Sequence, residues 1–318
     1  MLKNVNRIFP LYFINHLYIY LHMKTKIISV LKYLSVFLIF IFLFIIPTVL
    51  IPVSPSLLEK INPQEMKLFF PLLLLLALYI TSSYWLLINN SSQKKMFLFA
   101  NLAIANFLLY PLMGFIESFF WLDSLKVVNR DEIVNVFLRF IITFTLFSAY
   151  LSLISKKNKI VDIKEKTSID YKPMIQKILM ITVIYLIIYN LFGYFVAWQF
   201  EATRIYYTGS SELKGLFQML FQNFSDLKFI IVHFVRGLLF GFAGYLFYNL
   251  LECSRTKKLI ILALIFGGFG FQIILPNPVF PEMVRISHFI ETTTSMMVFG
   301  LIVGFIYSYK KGKILSNT

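Results

Sequence analysis

The chain has 318 residues, 58% of them apolar and 18% aromatic, with a mean hydropathy of +0.77 and only 14% of positions charged. A soluble domain of this size is about half apolar and a quarter charged, so the composition excludes an ordinary cytosolic protein. Thirty Lys and Arg against 15 Asp and Glu give a net charge of +15. A nucleic-acid binder would gather that charge on one solvated face, whereas a membrane protein distributes it by topology.

Residues 1–29 form an N-terminal segment. The stretch Ile8–Tyr20 is apolar and aromatic but too short to cross a bilayer, and His16 and His22 interrupt or flank it. With Met23-Lys24-Thr25-Lys26 following it, residues 1–22 read as an interfacial segment or the product of an upstream start. The run that follows is too long for a cleaved signal peptide and lacks a small-x-small cleavage site.

A spanning helix needs about 20 mostly apolar residues. Eight such runs occur, at 30–50, 68–88, 96–118, 133–154, 174–198, 227–250, 258–275 and 286–308. Pro52 and Pro55, Asn89-Asn90-Ser91-Ser92, Lys156-Lys157 and Pro276-Asn277-Pro278 mark run ends, and Pro173 suits the first turn of the fifth. The fold expected is all-α, a polytopic helical bundle with residues 30–318 as a single transmembrane domain.

Charge orients it. The N-terminal segment together with Lys32 at the start of the first span, the segments at 89–95, 155–177 and 252–258, and the C-terminal tail hold 20 of the 30 basic residues and four acids, Asp162, Glu165, Asp170 and Glu252. The alternate segments hold eight basic residues and the other eleven acids. By the positive-inside rule both termini are cytoplasmic, and the excess charge needs no nucleic acid to explain it. Lys-, Ile-, Phe- and Asn-rich usage suggests an AT-rich bacterial genome, hence a bacterial cell membrane.

The two halves differ. Of 13 glycines only Gly114 precedes residue 193. Small residues let membrane helices approach closely, and Gly237, Gly241 and Gly244, then Gly267, Gly268 and Gly270, then Gly300 and Gly304 predict a tight bundle of spans six to eight within 174–309. The Phe-, Leu- and Ile-rich first four spans read as lipid-facing. No internal repeat relates the halves, which counts against repeat-built transporters. In the loop at 199–226, Ser211 is placed to cap a helix with Leu213, Leu216, Phe217, Leu220, Phe221 and Phe224 on one face. Such a helix lies in the outer interface or packs over the bundle's mouth.

Ionisable groups inside a bilayer are costly, and each is a site hypothesis. Glu117 closes the third span. Arg139 lies about 9 Å below the outer start of the fourth, and His233 and Arg236 about 9 and 13 Å below that of the sixth. Arg285, His288 and Glu291 occupy the first turns of the eighth. Outside them Glu201 and Arg204 are three residues apart and can pair. Arg139, Arg236, Arg285 and Arg204 outnumber Glu117, Glu201 and Glu291, which suits a phosphate or carboxylate. The corresponding reading is a pocket open to the extracytoplasmic side that binds or processes an anionic lipid or lipid-linked substrate. In it His288, Glu291 and His233 form the catalytic set, with His288 as base and Glu291 as orienting carboxylate.

Other readings stand beside it. His288, Glu291 and His233 also make a three-ligand metal set with an open position, and the same groups can simply be ion pairs that fix helix register. Neither His-Glu-x-x-His nor Gly-x-Ser-x-Gly occurs, and no cofactor motif or metal signature is present. The one cysteine, Cys253, falls on the cytoplasmic side, away from His288, and rules out a disulfide framework within one chain. The function classes left are an enzyme acting on an outer-leaflet lipid, an anion or small-molecule transporter, and a non-catalytic assembly or sensing subunit. The partners these runs imply are the lipid bilayer and, for the pocket, an anionic lipid or lipid-linked substrate.

Overall fold

A computed structural model describes residues 5–60, 62–123, 125, 128–155 and 171–309. The elements are α1 (Val5–Leu50), α2 (Pro55–Leu58), α3 (Pro63–Met66), α4 (Phe69–Asn89), α5 (Lys95–Phe107), α6 (Met113–Phe120), α7 (Arg130–Ile154), α8 (Tyr171–Phe195), α9 (Glu201–Thr208), α10 (Leu216–Ser225), α11 (Leu227–Leu250), α12 (Arg255–Phe271) and α13 (Glu282–Ser308). No strand occurs among these residues. Eight helical stretches are long and apolar enough to cross a membrane: Leu21–Leu50, Phe69–Asn89, Lys95–Phe120, Arg130–Ile154, Tyr171–Gln199, Leu227–Leu250, Arg255–Ile274 and Glu282–Ser308. Each overlaps one of the eight apolar runs. The chain is a multi-pass, all-helical membrane protein. Its N-terminal segment from Val5 continues into the first span as unbroken helix.

Three helix starts are fixed by side-chain caps: Asn62 accepts from the Gln64 amide, Asn129 from that of Glu132 and Asp226 from that of Lys228. The third span carries Pro111, which has no amide hydrogen to donate. The helix absorbs it with a π turn at Leu108–Leu112 between α5 and α6. That extra residue resets the helical register, so α6 turns Gly114, Glu117 and Ser118 toward the neighbouring helices.

Buried apolar side chains from Val36 to Tyr307 form one continuous cluster. The glycines explain its tightest contacts. A Cβ on Gly300 would meet the Leu262 carbonyl oxygen at 2.6 Å, and one on Gly270 would collide with the backbone of Thr292 and Thr293. So α12 and α13 touch backbone to backbone. Gly237 and Gly241 behave differently: they pack on Thr182 and Ile178 of α8. The close partner of α11 at these two positions is therefore the fifth span, whereas Gly244 packs on Val303 of α13 and Phe266 of α12.

The second and third spans are not lipid-facing in the way their Phe and Leu content suggests, since half of each is buried, as in spans six to eight. Their hydroxyls supply the reason. Tyr79 and Tyr110 donate to the Leu264 and Ile265 carbonyls of α12 at 3.0 and 3.2 Å, reaching them past Gly267 and Gly268. Tyr84 donates to Asn106, whose amide donates to Ser148 at 2.9 Å. These hydroxyls and amides are satisfied by neighbouring helices, as lipid cannot satisfy them.

Gly270→Val is expected to abolish monodisperse protein in detergent, because its clash is with backbone that cannot move aside. Gly114→Ala, where a Cβ meets no atom within 4 Å, should keep or slightly raise the melting temperature measured side by side.

Candidate functional site

The end of the bundle bearing α9 and α10 encloses a cavity of about 230 Å³, more than ten times what one water needs. Its polar wall is formed by Glu117 of α6, Tyr207 of α9, and His288, Glu291 and Thr292 of α13. Trp121, Trp198, Tyr189, Phe229 and Phe280 supply much of the rest. Two glycines, Gly114 and Gly193, also line it, and a Cβ on either meets no atom within 4 Å. These two glycines leave room for the cavity, whereas those of α12 and α13 close the gap between helices.

The α9 segment is fastened from several sides. Thr203 shares a 2.6 Å hydrogen bond with Ser287 of α13, and Tyr206 donates to the Val279 carbonyl at 2.9 Å. Gly209, at φ 74°, ends the helix in the left-handed conformation that glycine adopts without strain. Arg204 donates to the carbonyls of Ser211, Trp198 and Gln199 at 2.6, 2.6 and 3.0 Å. It clamps its own loop, and Glu201 is exposed and forms no ion pair with it. So anchored, α9 holds the Tyr207 hydroxyl 3.0 Å from His288 Nε2. Burial, with Glu117 next in weight, pushes the Tyr207 phenol well above its usual range. Tyr207 thus stays protonated, and its hydroxyl and His288 Nε2 share one hydrogen bond whose donor is set by the histidine tautomer.

The remaining charged groups sort by partner. Arg236, almost wholly buried, donates through Nη2 to Glu117 Oε2 at 2.7 Å. Its Nε and Nη1 have no hydrogen-bond partner, and its guanidinium lies 5.8 to 6.0 Å from the rings of Tyr185, Tyr189 and Phe240. Arg285 pairs with Glu65 of α3 at 2.6 Å and donates to the Ile274 carbonyl. Arg139 donates to the Ile51 carbonyl at 2.7 Å. None of Arg139, Arg204, Arg236 or Arg285 lines the cavity. The sequence expectation that the arginines converge on one pocket gives way to a pocket walled by carboxylates and aromatic rings.

His233 is fully buried, with both ring nitrogens unpartnered, between Tyr189 and Phe229 at ring distances of 4.0 and 4.2 Å. It stands behind the cavity wall. Among the described residues no three His, Cys, Asp or Glu side chains gather as a metal site. Glu291 accepts from Thr292 at 2.8 Å and from Ser295 at 3.5 Å. Sequence reasoning missed Glu65 as the partner of Arg285, and Trp121, Tyr189 and Phe280 as walls.

The helix in the 199–226 loop begins later than Ser211 suggests, with Gly215 at its N-cap. Met219 and Asn223 on its inner edge line the cavity, and Asn223 donates to Asn190 of α8 at 3.0 Å. Phe217 and Phe221 on the outer edge are 83% and 77% exposed. The helix both covers the cavity and presents an apolar edge away from the bundle.

Glu117→Gln leaves the Arg236 charge buried without its counter-ion. It is expected to cost somewhat less than the roughly 3–5 kcal/mol of a fully buried broken pair, since the Glu117 side chain is 35% accessible, read as a fall in melting temperature. The double variant Glu117→Gln/Arg236→Met should recover most of that loss; no recovery would show that the pair is not the source of the cost.

No protein-family model matches the chain, and comparison with curated proteins and with solved structures gave no significant match, so the site rests on its own geometry.

Proposed function

We propose that the chain is a cell-membrane protein with cytoplasmic termini that binds or processes a lipid or lipid-linked substrate, whose polar end enters the cavity beside His288. The observation that carries this reading is the cavity itself. It lies beside a helix long and apolar enough to span, with His288 and Glu291 about 9 and 14 Å along α13 from Glu282, and its walls combine a few convergent polar groups with aromatic surface. The segregation of 20 basic residues to one set of loops supports the orientation.

The lid helix supports a ligand that comes from the bilayer. With Phe217 and Phe221 facing outward and Met219 and Asn223 over the cavity, α10 suits the interface plane, its apolar edge in the acyl region. An amphiphile resting in the same leaflet then reaches the cavity past that edge with its tail still in lipid. His288, whose Nε2 is engaged by Tyr207, presents its other nitrogen for proton exchange with a bound headgroup, and Glu291 one turn on is the second polar contact. His233 has no place in this reading because aromatic rings separate it from the cavity.

Purification into nanodiscs followed by mass spectrometry of retained lipid is the test. A defined species should co-purify with the wild-type chain, and Gly193→Leu, which fills the cavity where a Cβ meets open space, should reduce it by roughly tenfold without lowering the melting temperature. Retention that Gly193→Leu leaves unchanged overturns the reading. For orientation, in a Cys253→Ser background, Ser210→Cys should react with an impermeant maleimide on intact cells and Ser254→Cys should not; the reverse pattern inverts the topology.

A further inference from the structure

We infer that the group seated against Glu291 is a cation, a primary amine or quaternary ammonium carried by a lipid headgroup; this rests on the reading of the cavity as a lipid site. Charge balance makes the argument. Glu291 is buried, 9% exposed, and its carboxylate faces the cavity wall with only the Thr292 and Ser295 hydroxyls donating to it. Among the described residues the two ion pairs are Arg236–Glu117 and Arg285–Glu65, and neither includes Glu291. A carboxylate at this depth without a counter-charge is costly, and the cavity is the open side from which one can arrive.

The rest of the wall agrees. Among the described residues no Lys or Arg lines the cavity. The second carboxylate, Glu117, keeps 35% of its side chain accessible while Arg236 neutralises it from behind. An entering phosphate would meet two carboxylates and, among the described residues, no cation. An entering ammonium would meet one uncompensated carboxylate and, around it, the rings of Trp121, Tyr189, Phe229 and Phe280. Aromatic faces attract cations, most strongly where water is excluded, and rings with a carboxylate form the usual recognition chemistry for an ammonium group. The volume, about 230 Å³, accepts such a headgroup and leaves the acyl chains outside.

The headgroup panel needs no variant. The wild-type chain in detergent is offered phosphatidylethanolamine, phosphatidylcholine and phosphatidylglycerol with identical acyl chains, and occupancy is read by native mass spectrometry. An amine-bearing lipid should exceed phosphatidylglycerol by roughly tenfold or more, and Glu291→Gln should remove that preference. Equal or better binding of phosphatidylglycerol overturns the cation assignment while leaving a lipid site standing, and so does a preference that Glu291→Gln does not alter. If none of the three binds, the lipid reading itself falls. Free ethanolamine and choline form the last arm. Their binding as tightly as the lipids overturns the lipid source, and failure to bind supports it.

Discussion

An ionised side chain buried among these helices has to be met by something other than water, and that requirement arranges the end of the bundle bearing α9 and α10. Lipid neither solvates charge nor rewards helix contact, so a buried ion is held by a counter-ion, a carbonyl or an aromatic face. Arg236 has Glu117 and three rings, Arg285 has Glu65 and the Ile274 carbonyl, and Arg139 has the Ile51 carbonyl. Each of these also fastens one element to another: α11 to α6, α13 to α3, and α7 to the end of α1. The polar groups thus stitch helices that apolar packing alone would leave free to slide.

Against that background the glycines divide into two kinds. Gly270 and Gly300 draw α12 and α13 together until backbone meets backbone, and Gly267 and Gly268 admit the Tyr79 and Tyr110 hydroxyls to α12 carbonyls. Gly114 and Gly193 sit on the cavity wall with nothing opposite. A closely packed pair of helices therefore carries His288 and Glu291 on one side of an opening that Gly114 and Gly193 keep from being filled. The latches from α9 then bring Tyr207 to His288, so the polar wall is built on fastened elements even though part of it belongs to a loop.

Much of the architecture was legible in the sequence because bilayer thickness imposes it: the eight apolar runs and the eight spans coincide closely. Ion pairing among these groups was legible too, but not which acid meets which arginine: Glu117 closes its span whereas Arg236 lies some turns inside its own, and the two still pair. Direction around each helix was not legible. Arg285 turns to Glu65, a residue on a short helix 220 positions earlier in the chain, and hydropathy does not say which spans are neighbours. The π turn at Pro111 resets the face on which Glu117 lies. The aromatic wall was hidden by abundance, since 18% of the chain is aromatic and Trp121 or Tyr189 carries no local mark of its role. The arginines therefore suggested an anion site, whereas their partners leave Glu291 as the charge that faces the cavity uncompensated.

The central claim is that this cavity is an occupied, charge-completed site rather than a packing defect. Cryo-electron microscopy of the chain in nanodiscs made from its own membrane lipids tests it most directly. The account predicts density in the cavity with a polar end within ion-pair distance of the Glu291 carboxylate and a tail leaving past α10. A cavity closed by inward rotation of Trp121 or Phe280, or Glu291 turned to a protein cation with no ligand density, would contradict it.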